Sequence, residues 1–191
     1  MNGQGPNHRA ELLARGNQFT PLSGQLVVLV QSWARERGIN CPARGNLSPY
    51  AWIVLVLFYL QVRRDTGIAS KTLSSTETHA ASIGELFRGF FRFYAEEHDV
   101  HTYIVCMISG HQAKYDSLVA QKTPCIRDPL KVGSYLGSAM SDDGILRDQA
   151  EFSRANELCS QGAPVSELLM LWCPAEATSE SGWSVMSGGL N

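Results

Sequence analysis

The apolar positions of this chain fall into blocks with a helical period, and one block has almost no polar face. Leu22, Leu26, Leu29, Val30 and Trp33 recur at helical spacing behind Thr20 and Pro21, an N-cap and first-position pair. They predict a helix to about Arg37, where Gly38 ends it. The next block, Ala51 to Leu60, is apolar on every side and predicts a helix buried all round at the centre of the domain. Ser48 and Pro49 open it: serine is a favoured N-cap, and a proline at the first helical position loses only an amide hydrogen that had no partner. The helix is expected over about Ser48 to Gln61. Its apolar run rises only about 15 Å, half of the ~30 Å that a membrane span needs, so it is read as a core helix.

Further along, Ser82 and Glu85 form a capping box ahead of Ile83, Leu86, Phe87, Phe90, Phe91 and Tyr94, which share one helical face. Arg88 and Arg92 stand on the other side as a solvated face. Thr102 to Ile108 is rich in β-branched and aromatic residues and predicts a strand, ended by Gly110. Cys125 to Asp128 is extended, because the residue before Pro129 is pushed out of the helical region. Asp142 or Asp143 is expected to cap a helix carrying Ile145, Phe152, Ala155 and Leu158 and stopped by Gly162. Short helices are predicted at each end, from His8 to Arg15 and from Val165 to Trp172, and the polar segment from Arg63 to Thr78 is predicted as an exposed loop. The expected class is mainly α (α+β), a helical domain with a few short strands over residues 8–173, with residues 1–7 and 174–191 disordered.

Composition narrows the chemistry. With 191 residues the chain can bury one sizeable core, and a formal net charge of -2 leaves any RNA contact to a local patch. Five cysteines, an odd number with no C-x-x-C pair, make neither a disulfide framework nor a zinc ribbon. A reducing, intracellular setting fits best, with cytoplasm and mitochondrion not distinguished, and nothing at the N-terminus has the apolar core of a secretory signal. His98 and His101 stand three apart but lack a third ligand of suitable spacing, so they are expected on the surface and no metal site is assigned. Tyr50 sits at the mouth of the central helix, beside backbone amides that attract anions. It is a candidate to hold a nucleotide there, against the plainer reading of a core aromatic.

The same stretch carries a resemblance. Trp33-Ala34-Arg35, then Arg37-Gly38-Ile39-Asn40, then Gly45, Leu47, Ser48 and Tyr50 lead into the apolar helix ending Phe58-Tyr59-Leu60-Gln61. With Gly84 to Tyr94 and Cys125-Ile126-Arg127-Asp128-Pro129-Leu130 following in order, the pattern resembles the central, PAP-associated domain of the noncanonical poly(A) polymerases and terminal RNA uridylyltransferases. It covers roughly Leu22 to Leu158. The resemblance implies a helical poly(A)-polymerase-like fold that binds a nucleoside triphosphate, UTP or ATP, and the 3′ end of an RNA. In such enzymes two magnesium ions sit on a carboxylate triad in a separate catalytic domain, announced by a Gly-Ser pair and an Asp-x-Asp pair. Here the nearest match is Gly133-Ser134 followed by Asp142-Asp143, and adjacent carboxylates on a strand point to opposite faces. The chain is therefore expected to be catalytically incomplete as given, with magnesium entering only with a catalytic domain supplied in cis or trans.

Residue by residue, the resemblance implies that Tyr50 meets the base, Ser48 and Arg35 the phosphates, and Asp128 the base edge. The chain departs from the family where Gln31 replaces a phosphate-binding lysine, Pro49 a serine, Lys131 a second acid and Ser134 a uracil-selecting histidine. The position of an asparagine that touches the sugar falls on Arg9. Loss of a lysine contact to phosphate is worth about 1.5 to 3 kcal/mol, so nucleotide binding by the chain alone is expected to be weak. The alternative is a degenerate, non-enzymatic RNA- or protein-binding scaffold of the same fold.

Overall fold

The computed structural model describes residues 6–65, 81–100, 102–109, 113–114 and 123–170. Its helices are α1 (Pro6–Gly16), α2 (Ser23–Glu36), α3 (Pro49–Asp65), α4 (Ile83–Arg92), α5 (Asp142–Ser160) and the short α6 (Val165–Leu168). Two short strands, β1 (Tyr103–Ile104) and β2 (Ala113–Lys114), pair antiparallel. The mainly helical class is as expected.

α3 is the axle of the domain. Every residue from Ala51 to Leu60 is buried, with Val54, Leu57 and Phe58 fully so, because a run without a polar side has no face to give to water. α1 and α2 pack against it, α4 crosses α2, and α5 closes over α4. Rings lock these layers together. Trp33 of α2 meets Trp52 of α3 edge-on at 5.6 Å and Phe91 of α4 at 4.8 Å, and Phe152 of α5 lies 5.7 Å from Trp33. Edge-to-face contacts of this kind suit the ring quadrupole and fix the angle between helices.

Helix ends show where local signals were sufficient. Ser82 and Glu85 make the full reciprocal capping box at α4, and the predicted aromatic face is buried at Phe87, Phe90, Phe91 and Tyr94. Gly38 and Gly162 both take positive φ just past α2 and α5. Other ends moved. α2 begins at Ser23, because the Thr20 hydroxyl accepts the Leu22 amide across a turn instead of capping a helix. α3 runs on through Arg63 and Arg64 where a loop was expected: the Arg63 guanidinium lies 5.6 Å from the Tyr59 ring and 3.9 Å from Glu97. α5 is capped by Ser141, whose hydroxyl accepts the Gly144 amide at 3.1 Å, and not by Asp142 or Asp143. α6 ends at Leu168, short of the predicted range. The strand expected over Thr102 to Ile108 is only Tyr103–Ile104, continued by a parallel bridge from Val105 to Ile126.

His98 corrects a further expectation. It is fully buried, stacked at 5.2 Å on Phe93 and 5.1 Å from Phe58, and neither ring nitrogen has a hydrogen-bond partner among the described residues. Burial lowers its pKa to about 4, so the imidazole is neutral there. A π-helical turn over Phe93–Glu97 turns the chain inward at this point. His79, His101, His111, Cys173 and Trp172, both predicted disordered ends and residues 66–78 of the predicted loop lie outside the described residues, apart from the backbone of Pro6 and Asn7, which begins α1. No described helix is long and apolar enough to cross a membrane.

Candidate functional site

The loop before α3 is fixed from behind. Gly45 holds a left-handed φ of 74°, and its carbonyl accepts the Ser141 amide at 3.0 Å. A Cβ on Gly144 would strike that carbonyl, so the loop and the start of α5 approach more closely than any other residue allows. On this base Ser48 opens α3, its hydroxyl accepting the Ala51 amide at 3.1 Å. Tyr50 follows in the first turn.

Tyr50 donates its hydroxyl proton to Asp128 Oδ1 at 2.9 Å, and the same oxygen accepts the Leu130 amide at 2.9 Å. Two of the sequence-predicted residues, 78 positions apart, therefore meet directly. The segment that delivers Asp128 is held by backbone bonds: Arg127 N to Val105 O at 3.0 Å, Asp128 N to Ser134 O at 2.9 Å and Leu136 N to Ile126 O at 2.8 Å. Tyr50 is 8% exposed, and its pKa is driven up first by burial, then by the hydrogen bond to Asp128 and the negative charge of that residue. Glu11 on α1 adds to the rise and Arg15 opposes it, which places α1 beside this ring. Glu11 and Arg15, four apart on α1, pair with each other at 2.8 Å.

Gln31 and Arg35 lie one turn apart on α2. Gln31 donates through Nε2 to the Pro49 carbonyl at 2.7 Å, tying α2 to the mouth of α3, and accepts from Arg9 Nη2 at 3.3 Å. Arg35 is not drawn into this cluster. Its side chain is 70% exposed and touches Glu36 at 3.4 Å. Lys131 is exposed in the turn after Asp128, and Ser134 takes part through its backbone. The bonded cluster is therefore two pairs at the start of α3, Tyr50 with Asp128 and Arg9 with Gln31, while Arg35 and Lys131 stay exposed outside it.

Asp142 and Asp143 stand in the first turn of α5, on a helix and not the strand considered above, and among the described residues no group of three or more His, Cys, Asp or Glu could hold a metal ion. The carboxylate triad implied by the resemblance does not fit any residues placed here, and no catalytic step is assigned to them.

Residues 82–132 match the family model described as Cid1 family poly A polymerase. Terminal uridylyltransferase cid1 of Schizosaccharomyces pombe is 24% identical over an alignment of 191 positions that takes in 79% of this chain and 47% of the relative. The poly(A) RNA polymerase GLD2 of Mus musculus is 29% identical over 132 positions, 54% of this chain and 27% of the relative. This chain is a homologue of the noncanonical poly(A) and poly(U) polymerases. The matched part is a partial PAP-associated region. The chain spans about half the length, or less, of these curated polymerases. In fold it is similar to the solved structure of Cid1 in complex with the UTP analog UMPNPP, with a TM-score of 0.67 and 23% identity over 86% of this chain and 61% of that one.

Proposed function

We propose that this chain is the nucleotide- and RNA-binding central region of a terminal RNA nucleotidyltransferase, holding UTP or ATP against the 3′ end of an RNA while a carboxylate-bearing domain, in cis or trans, performs the transfer. The observation that carries this is the hydrogen bond from Tyr50 to Asp128, which brings the two residues implied to meet the base to one point at the start of α3. The similarity to Cid1, whose solved structures include complexes with a UTP analog and with the short product ApU, supports the same ligand classes here. Ser48, Arg35, Gln31 and Lys131 complete the nucleotide site around that bond.

Binding by the chain alone is weak. Gln31 offers no positive charge where the family carries a lysine, and Tyr50 presents little open ring, so stacking sits near the lower end of the roughly 1 to 3 kcal/mol that a base on an aromatic platform contributes. Titration with UTP or ATP, followed by chemical shifts, is expected to perturb Tyr50 and Asp128 with a dissociation constant on the order of 0.1 to 10 mM. Tyr50→Ala weakens this binding and Gln31→Lys strengthens it. Labelled RNA incubated with the chain, magnesium and either triphosphate gains no tail. Perturbations that cluster away from Tyr50, or extension of the RNA by the chain alone, overturn the proposal.

A further inference from the structure

We propose that Arg9 of α1 is a phosphate-gripping residue of this site, standing in for the charge that Gln31 does not carry; this rests on the nucleotide-binding reading above. Gln31 is oriented by its 2.7 Å bond to the Pro49 carbonyl, which fixes Nε2 toward α3 and turns Oε1 outward to Arg9. A lysine at position 31 would have no acceptor to offer Arg9 and would repel it, since an ammonium group donates only. The neutral amide does the opposite and recruits the guanidinium to the mouth of α3.

Among the described residues Arg9 makes the 3.3 Å contact to Gln31 and pairs with no carboxylate. The acid nearest to it in sequence, Glu11, is taken by Arg15 at 2.8 Å. A guanidinium that is exposed, lightly held and without a counter-charge suits a phosphate group, to which it can donate two parallel bonds. Arg35 stands one turn from Gln31 on α2 but outside the bonded cluster, so Arg9 is the arginine that Gln31 brings to the mouth of α3. The ligand class is the triphosphate chain of a nucleotide.

The test uses the full chain with inorganic tripolyphosphate, UTP and uridine as separate probes, following chemical shifts. Arg9→Ala is expected to weaken tripolyphosphate and UTP about tenfold or more, the worth of a charge-assisted contact, while leaving uridine unchanged. Arg9→Lys recovers part of the loss, because the charge returns without the fork. Arg88→Ala, an exposed arginine on α4, changes neither phosphate ligand. If tripolyphosphate and UTP bind Arg9→Ala as they bind the parent chain, or if Arg88→Ala weakens them equally, Arg9 has no specific part and the nucleotide site stands without it. If UTP fails to perturb Tyr50 and Asp128 even in the parent chain, the underlying reading falls and the role of Arg9 falls with it.

Discussion

Two arginines at the end of α2 sit two positions apart and live in opposite worlds. Arg37 is buried: its guanidinium donates through Nε and Nη2 to both oxygens of Glu151 at 2.8 Å and through Nη1 to the Met170 carbonyl at 2.6 Å, while its own carbonyl accepts Arg147 at 2.6 Å. Arg35 reaches into water with one loose contact to Glu36. The first region is over-determined, each charge answered by partners from α5 and from the backbone just after α6. The second, at the mouth of α3, is a few hydrogen bonds among Arg9, Gln31, Tyr50 and Asp128, with Arg35 left exposed beside them. A fold needs the first kind of arrangement to hold α2 in place, and a ligand needs the second kind to have something to bind.

The largest effect should come from breaking the closed region. Arg37→Ala leaves Glu151 buried and charged without its fork, and removing one partner of such a pair costs about 3 to 5 kcal/mol. Arg154, 3.6 Å from Glu151, answers only part of that charge. The double variant Arg37→Met with Glu151→Leu should recover much of the loss, because the desolvation penalty goes with the charges. Denaturant unfolding measures both. A cost under about 1 kcal/mol for Arg37→Ala would erase the contrast between the two regions.

A smaller effect sharpens the comparison from within the core, where two buried groups lack the partners Arg37 has. Asp148 on α5 is buried, and burial raises its pKa from 3.8 to about 8, against the opposing charge of Arg147 and a weak hydrogen-bonding approach of the Asn46 side chain. The folded chain therefore keeps a proton that the unfolded chain has released, and stability falls as pH rises from about 4 to about 8. His98 has the reverse sign. Its folded pKa of about 4 lies below the ordinary 6.5, so the unfolded chain takes the proton first and stability falls as pH drops through that window. The two slopes oppose each other between about 4 and 6.5, and above 6.5 Asp148 acts alone. Urea midpoints across pH 6.5 to 8 should decline in the parent chain and flatten in Asp148→Asn. His98→Phe should remove the acid-side loss. A parent chain whose midpoint is level from 6.5 to 8 would show that Asp148 is ionised at no cost.

How much of this could be read from the chain depends on how local the cause is. The capping box at Ser82, the buried run of α3 and the glycine stops at Gly38 and Gly162 are written within a few neighbouring residues, and each was legible. Tyr50 was a candidate from its place at the mouth of a helix, but Asp128 was named only because ordered motifs resembled a family; their hydrogen bond spans 78 positions and no periodicity announces it. Arg37 and Glu151 are 114 positions apart and were invisible for the same reason. His98 misled because polarity was taken as exposure, whereas the π-helical turn carries it inward among Phe58, Phe93 and Tyr94. Ser141 took the cap from Asp142 because the close approach of Gly45 to Gly144 sets where α5 begins, a tertiary constraint absent from the local sequence.

The smallest effect is expected at the open region itself. Tyr50→Phe removes one hydroxyl donor from Asp128, whose Oδ1 keeps the Leu130 amide, so no charge is stranded. A hydrogen bond to a charged acceptor is worth about 1.5 to 3 kcal/mol, and the donor that Asp128 retains keeps the loss toward the lower end, below the Arg37 loss. The ring remains, which separates the two roles of the tyrosine. If stacking is what Tyr50 contributes to a nucleotide, Tyr50→Phe should keep UTP affinity within about threefold of the parent while Tyr50→Ala loses most of it, because an aromatic face and not the hydroxyl carries stacking. Local hydrogen exchange offers the second readout. The Leu130 amide should exchange faster in Tyr50→Phe, as the Asp128 turn is no longer pinned to α3, while amides within α3 from Trp52 to Leu60 keep their protection because that helix is held by packing on every side. Faster exchange along α3 itself would mean that the mouth and the core are one cooperative unit, and that the contrast drawn between Arg35 and Arg37 stops at the side chains.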